Sequence, residues 1–502
     1  MIAWFRRITL AVLAPVQAPA ARATATTPPR RRPRIRYQRN ELPRMEISTT
    51  ASCGLTGFHG KLRLTRRCGR SRTIEGHCTM SALRSTLDMP TTAMDRTLRG
   101  LDSAEIELNI GAVLHFDGPP PRLGDIQDYI ATRLDALPAL AVWMTPGARH
   151  WTVVDEVDLT SHVVEHVVPA QENLEQVVVE LAKIPLPEDA PHWRMWLLRG
   201  YAPDRYALLY VVHHCVQDGA GMLRTLELLF APGVPESESS AAYHGFAQSA
   251  RASARTRLQC AATDLQSLRG LGTWDVPGCR ATYQVGFAWG RVPTSTLTSI
   301  ARAIGCTRND VYMAALAHAL TRWQSEIRGS ADLPDIPFLV SANVRRPDEV
   351  ALPGNRTAIP YLRLPGAPLS FDQRLTSTFH ATAPLKSPTV RAAMRRNFDS
   401  TPAWLMRTTF SILATPRRTP ASVSNVVLRH PLALHGDPVT AIDPITTTLG
   451  GIPLSVLLLV DGDSATACFR TDAGFPGLDQ IHSMWEETLL SWQSNAATLN
   501  SA

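Results

Sequence analysis

The sequence predicts a mixed α/β protein with two structured bodies. From Met89 onward, apolar runs of strand length alternate with amphipathic segments of helix length. The chain has 502 residues, which exceeds the roughly 250 to 300 residues at which a single core stops growing. A stretch rich in Ser, Ala, Arg and Gln separates two such regions. We therefore expect an N-terminal subdomain at 89–231, a crossover linker at 232–280 and a C-terminal subdomain at 281–502.

The elements of the first body follow from its patterning. IELNIGAVLHFDG at 106–118 alternates apolar and polar residues before a turn-forming DGPPP, which is typical of a strand that ends in a loop. The segment 123–137 places Ile126, Ile130 and Leu134 on one helical face. Similar patterns predict a strand at 151–159, a helix at 174–186, and two apolar strands at 193–201 and 205–214.

The second body is predicted from residue 281 onward. Its clearest helix begins after Thr307, because Thr307 and Asp310 form a capping-box pattern ahead of a periodic apolar face. Apolar runs predict strands at 336–344 and 453–462, and an amphipathic segment at 478–493 predicts a closing helix.

Charge is distributed unevenly along the chain. Residues 1–80 hold 16 Lys and Arg against 3 Asp and Glu, whereas the remainder holds 35 against 41. The basic excess therefore belongs to the tail, and the absence of interleaved aromatic residues argues against a nucleic-acid arm. With little apolar periodicity, residues 1–88 are expected to form a disordered basic extension. Its opening also imitates a signal peptide, and an alternative reading places the true start downstream, at Met45 or Met80.

The cysteines and the apolar runs indicate the cellular compartment and whether the chain holds a structural metal or spans a membrane. The eight cysteines are scattered, with neither a CxxC motif nor zinc-ligand spacing. This pattern predicts a reduced, cytoplasmic chain without a structural metal. No window of the sequence approaches the roughly 20 apolar residues that a membrane-spanning helix needs.

The most informative stretch is VVHHCVQDGAGM at 211–222. A continuous apolar run, Tyr206 to Val212, predicts a strand covered on both faces, and strand alternation sends His213 and His214 to opposite sides. A buried imidazole stays neutral near pH 7 and can accept a proton from an alcohol, thiol or amine. Asp218 can hold the histidine loop in one geometry, and Gly219 leaves room for substrate. An isolated HxxxD pattern, by contrast, often arises by chance in a chain of this size.

The HHxxxDG stretch resembles the signature of the CoA-dependent acyltransferases, and in particular of the bacterial wax ester synthase/diacylglycerol acyltransferase family, over about residues 92–495. Five further stretches are similar to elements of that family. They are TAMDRTLRGLDSAEIELNIGAVLHFDGPPP, APHW with Trp193, the pair Asn309 and Asp310, SANVRRPDEVALPGNR with Arg345, and SNV with Ser424 and Asn425. VLRHP departs from the family's Pro-Gly-Pro, and His192 replaces a leucine.

The resemblance implies two chloramphenicol-acetyltransferase-like subdomains with an active-site tunnel between them. It implies that His214 is the general base for transfer from acyl-CoA to a hydroxyl acceptor, with His213, Asp218 and Gly219 completing the motif. It further implies that Arg345 is the salt-bridge partner of Asp218. Residues expected to contact substrate are Trp193, Asn309, Asp310, Ser424 and Asn425, although Asn309 and Asp310 suit a helix cap equally well. No metal or cofactor is implied.

Several functions remain open from the sequence alone. The acceptor could be a long-chain alcohol, a diacylglycerol or a specialised metabolite. A condensation-type acyltransferase of natural-product biosynthesis and a non-catalytic homologue that binds acyl ligands are the alternatives. Peripheral contact with a membrane or lipid body through the arginine-rich tail is also compatible with the charge pattern.

Overall fold

The structure, a computed structural model, describes residues 89–102, 108–233, 253–256, 258–259, 274, 276–329, 333–448 and 450–501, with side chains in the last helix described up to residue 492. The predicted extension at 1–88 and most of the predicted linker at 232–280 lie outside these residues. None of the helices in the described ranges is long and apolar enough to cross a bilayer.

The helices alternate with strands along the chain, as predicted. The helices are α1 (Ala93–Arg99), α2 (Leu123–Ala131), α3 (Leu159–His162), α4 (Leu174–Ala182), α5 (Gly219–Phe230), α6 (Thr294–Ile304), α7 (Arg308–Arg328), α8 (Phe371–Thr382), α9 (Pro388–Ser400), α10 (Ala403–Leu413) and α11 (Ile481–Ser501). The strands of the first body are β1 (Asn109–Asp117), β2 (Val142–Trp143), β3 (Thr152–Val153), β4 (Val163–Val167), β5 (Trp193–Arg199) and β6 (Arg205–His213). The later strands are β7 (Val285–Pro293), β8 (Ile336–Val340), β9 (Ala342–Asn343), β10 (Thr357–Ala358), β11 (Tyr361–Leu364), β12 (Ala421–Leu428), β13 (Ala433–Leu434), β14 (Asp437–Ile445), β15 (Leu454–Asp461) and β16 (Ser464–Asp472).

Two six-stranded sheets organise the described residues. The first has the order β13-β14-β1-β6-β5-β4, and the second has the order β11-β8-β12-β15-β16-β7. In the first sheet, β6 alternates between two apolar clusters, with Tyr210 and Val212 in one and Leu209 and Val211 in the other. The prediction that this strand is covered on both faces is therefore confirmed.

The second half of the chain contributes to both sheets. After β12 in the second sheet, the chain crosses to the first sheet, where β14 pairs antiparallel with β1, and then returns to form β15. Residues 281–502 are therefore not confined to the second sheet, in contrast to the predicted C-terminal subdomain. Pro438 and Pro444 interrupt the pattern of β14, and we attribute the missing strand signal to these prolines.

The predicted strand at 151–159 is much shorter in the structure because polar residues interrupt it. The predicted strand at 151–159 is reduced to β3, because Asp155 and Glu156 interrupt the apolar pattern and Asp158 caps α3 through a hydrogen bond from the Thr160 amide. By contrast, the predicted capping box at Thr307 and Asp310 is present at the start of α7.

Candidate active site

A cavity of about 240 Å³ lies where the two halves of the chain meet. The first half contributes residues from α1, β1 and the start of α5 to its wall. The second half contributes residues from β12, β15 and the loops after β8 and β14. Five of the predicted site residues line this cavity, namely His214, Asp218, Gly219, Ser424 and Asn425.

His214 occupies the turn that follows β6. Its backbone is held on both sides, because its N–H donates to the Leu108 carbonyl at 2.7 Å and its carbonyl accepts from Asn355 Nδ2 at 2.7 Å. The ring lines the cavity, and its Nδ1 is sealed from solvent without a hydrogen-bond partner among the described residues. The other ring nitrogen, Nε2, is therefore the candidate proton acceptor.

Burial determines the charge state of this imidazole. Loss of solvation lowers the pKa of His214 from its ordinary value of 6.5, and this effect outweighs the opposing influence of the Asp218 charge. The ring is therefore neutral at pH 7, so that one of its nitrogens is available as a proton acceptor.

His213 points away from the cavity, as strand alternation predicted. Its Nε2 lies 2.8 Å from Asp102 Oδ2, and its Nδ1 accepts a hydrogen bond from the Cys215 amide at 3.0 Å. Burial raises the pKa of Asp102, but the hydrogen bond and charge of His213, with the charge of Arg99, lower it overall. His213 therefore anchors the base of the His214 turn to the segment after α1.

Asp218 connects the turn to helix α5 and to the second half of the chain. Its Oδ1 accepts from the Gly221 amide at 2.8 Å and lies 3.1 Å from Arg345 Nη2. Its Oδ2 accepts from the Arg356 amide at 2.8 Å and from the Thr357 hydroxyl at 3.1 Å. Burial raises the pKa of Asp218, but the Arg345 charge and these hydrogen bonds lower it overall. The predicted ion pair with Arg345 is thus present, and both side chains are buried.

Two further residues, Asn355 and Asp95, hold this turn, and no role was predicted for either of them from the sequence. Asn355 Nδ2 donates to the His214 and Cys215 carbonyls and, at 3.0 Å, to Asp95 Oδ1. The Asp95 carboxylate also accepts a hydrogen bond from the Asn355 backbone N–H at 2.7 Å, and it caps α1 by accepting from the Thr92 backbone N–H. The Thr92 to Asp95 spacing is a capping-box signal, but nothing in the local sequence shows that the same carboxylate reaches Asn355.

Gly354 lies at the tightest point of this contact, and we predict that a side chain there is strongly destabilising. Gly354 has φ +91°, and an added Cβ would lie 2.6 Å from Asp95 Oδ2. We expect Gly354→Ala to reduce the free energy of unfolding by about 2–4 kcal/mol, through backbone strain and overpacking. Urea unfolding measures this change. Gly147→Ala is the matched control, because Gly147 has φ +81° but open space around its Cβ position; equal losses in the two variants would contradict the steric argument.

Three residues predicted to contact substrate do not line the cavity. Trp193 is fully buried, donates from Nε1 to the Leu140 carbonyl at 2.8 Å and stacks on His162. Asp310 is also fully buried and accepts hydrogen bonds from the Thr307 amide at 2.8 Å and from Lys386 Nζ at 2.6 Å. Asn309 lies beside it in the first turn of α7. The structure thus supports the helix-cap alternative for Asp310 and a packing role for Trp193.

Ser424 and Asn425 lie on β12, which faces His214 across the cavity. The Ser424 hydroxyl makes only a long contact of 3.5 Å to the Val456 carbonyl, so it remains available to a bound molecule. Among the described residues, no group of three or more His, Cys, Asp or Glu side chains is arranged to hold a metal ion.

The paired sheets and the histidine-bearing turn between them define a fold that is shared with solved structures. The same fold, which is chloramphenicol-acetyltransferase-like, occurs in solved structures of a wax ester synthase and of condensation domains. A wax ester synthase/diacylglycerol acyltransferase from Marinobacter aquaeolei VT8 superposes with a TM-score of 0.55 at 17% identity, covering 82% of this chain and 100% of that one. The first condensation domain of the calcium-dependent antibiotic synthetase has a TM-score of 0.55 at 16% identity, covering 81% and 95% of the two chains.

Residues 91–273 match the model of the wax ester synthase/diacylglycerol acyltransferase catalytic domain. A Mycobacterium tuberculosis protein provisionally named diacylglycerol O-acyltransferase is 26% identical over 256 residues, which are 43% of this chain and 54% of that protein. The match thus spans about half the length of that relative. A second such protein of the same organism is 24% identical over 406 residues, covering 73% of this chain and 90% of its own length.

Proposed function

We propose that this protein transfers an acyl group from acyl-CoA to a hydroxyl acceptor, with His214 as the general base. The observation that carries this proposal is the imidazole of His214, which lines a cavity between two halves of the chain, on a turn held by Leu108 and Asn355. A base held in this way needs little reorganisation when it accepts a proton.

The chemistry requires one proton acceptor and no covalent enzyme intermediate. His214 Nε2 takes the proton from the acceptor hydroxyl while the hydroxyl oxygen attacks the thioester carbonyl carbon. When the tetrahedral intermediate collapses, the new carbon–oxygen bond remains, the carbon–sulfur bond breaks, and the thiolate of CoA receives the proton from His214. The products are an ester and free CoA.

The remaining residues position groups around this proton transfer. Asp218 fixes the start of α5 relative to Arg345 and is structural. Ser424 and Asn425 lie where they can donate to the developing oxyanion or to the acceptor, since donors aimed at that charge stabilise the transition state. Gly219 keeps the cavity open, because a Cβ there would lie 3.1 Å from Val426 Cγ1.

Similar proteins support the choice of substrates. A starter condensation domain that shares the fold, with a TM-score of 0.53, has been solved with C8-CoA. The names of a similar wax ester synthase and of a similar diacylglycerol O-acyltransferase fit acyl transfer to a hydroxyl group. We further propose that the enzyme works in the cytoplasm, where acyl-CoA is made, with peripheral membrane contact through its basic N-terminal extension.

Product analysis tests this function. The full chain is incubated with acyl-CoAs of different length and a mixture of alcohols, diacylglycerol and amines, and the products are identified by mass spectrometry. We expect esters together with free CoA. Amides alone would favour the condensation-type alternative, and the absence of any acyl product would favour a non-catalytic binding protein.

The pH dependence of kcat provides a further prediction. The base is active only when neutral, and burial places the pKa of His214 below 6.5. We therefore expect the acid limb of kcat to be centred below pH 6.5, with circular dichroism verifying that the protein remains folded. An acid limb centred above pH 7 would contradict the assignment of His214.

A further inference from the structure

The cavity has walls of two different chemical characters. Met94, Leu98, Ile110 and Leu223 form an apolar wall on the side of the first half. The side of the second half carries a row of hydroxyl and amide groups, together with Arg429 and the apolar residues Ile359, Val426, Val427 and Leu457. A site for a hydrocarbon chain alone would be expected to be apolar on all sides.

The polar wall is built by strand alternation in β12. Ala421 and Val423 point into the core of the second half, whereas Ser422 and Ser424 line the cavity. Ser341 lies beside them, because its amide donates to the Val423 carbonyl at 2.9 Å, and Asn343 follows on β9. These four residues form what we call the hydroxyl wall.

The hydroxyl wall has hydrogen-bonding capacity that the protein does not use. Among the described residues, neither the Ser341 nor the Ser422 hydroxyl forms a hydrogen bond, and the Ser424 contact is long. Asn343 Oδ1 accepts from the Arg345 amide, which leaves its Nδ2 available. A hydrocarbon chain that covered these groups would remove their hydrogen bonds to water without replacing them, which is unfavourable in free energy.

We propose that the acceptor is a small polyol-type molecule, which carries a second hydroxyl beside the one that reacts. This inference rests on the proposed acyl transfer and specifies its acceptor. The apolar wall takes the acyl chain, and the hydroxyl wall binds the second hydroxyl while His214 removes the proton from the first. A cavity of about 240 Å³ suits a compact acceptor, because sites for drug-sized ligands are typically about 300–1,000 Å³.

Two alcohols that differ by one hydroxyl test the inference. With octanoyl-CoA as donor, we expect kcat/KM for 1,2-hexanediol to exceed that for 1-hexanol by at least roughly tenfold. Ser422→Ala and Ser341→Ala should each reduce this ratio about five- to tenfold, mainly by raising KM for the diol. Ser411→Ala is the matched control, because Ser411 is exposed on α10 and bonds only to the Arg407 carbonyl.

Three outcomes would overturn the inference. Equal or higher kcat/KM for 1-hexanol would show that the wall does not select a second hydroxyl. If Ser422→Ala raised KM for octanoyl-CoA equally with both alcohols, the hydroxyl wall would bind the amide groups of the CoA arm instead of a second hydroxyl. Free CoA and octanoate without either ester would overturn the proposed acyl transfer itself.

Discussion

Replacing His214 by Ala is expected to abolish most acyl transfer while leaving the protein folded. General-base catalysis by a positioned side chain typically contributes about 10²–10⁴-fold to the rate, so kcat should fall by this amount. The fold should persist, because the ring lines a cavity and its Nδ1 makes no hydrogen bond to another described residue. Steady-state kinetics measure the loss, and circular dichroism with thermal unfolding checks the fold.

His166→Ala serves as the matched control for this variant. His166 lies on the edge strand β4 and does not line the cavity, so its removal should leave kcat within about twofold of the wild type. His213→Ala should mainly lower stability, because His213 bonds to Asp102 and to the Cys215 amide. Full turnover in a folded His214→Ala protein would exclude His214 as the base.

The second large effect is expected from Asp218→Asn. The substitution keeps the size of the side chain but removes the charge that faces Arg345 in a buried environment. Removing one partner of a buried ion pair typically costs about 3–5 kcal/mol, and we expect a reduction of this size in the free energy of unfolding. Activity should fall as well, since the same carboxylate fixes the start of α5 beside His214.

A double-mutant cycle separates the ion pair from its surroundings. Asp218→Asn and Arg345→Met should be strongly non-additive in urea unfolding, with a coupling energy above about 1 kcal/mol. An exposed pair, Arg322 with Glu487, supplies the control, because such pairs are worth about 0–1 kcal/mol. Additive losses at Asp218 and Arg345 would show that the contact contributes little to stability.

The same buried carboxylate predicts how stability responds to acid. Because the pKa of Asp218 is lowered in the folded protein, its contribution to stability is present above the pKa of the unfolded chain, about 3.9. That contribution is lost as the pH falls through the lower pKa of the folded state. The wild type should therefore lose more stability than Asp218→Asn over this acidic range.

Features encoded in consecutive residues were predictable from the sequence. The apolar run from Tyr206 to Val212 determines a strand with two covered faces, and the capping box at Thr307 marks the start of α7. Because His213 and His214 are adjacent at the end of β6, strand alternation also predicted that their side chains point to opposite sides. In these cases the local pattern and the tertiary structure favour the same result.

Features that depend on distant contacts were not predictable in this way. The crossing of β14 to the first sheet depends on pairing with β1, which no local pattern of Asp437–Ile445 reveals. The Asp95 to Asn355 contact joins residues far apart in the chain. Conversely, Trp193 and Asp310 matched motif positions, yet the surrounding structure buries both away from the cavity.

Simultaneous measurement of CoA release and ester formation tests the central claim most directly. The full chain is mixed with octanoyl-CoA and 1,2-hexanediol, and both products are followed from the first turnover. If His214 acts as a general base for direct transfer, CoA and ester should appear together, at equal rates and in equal amounts, and both should nearly vanish in His214→Ala. Release of one equivalent of CoA per protein before any ester forms would reveal a covalent acyl-enzyme and contradict this mechanism.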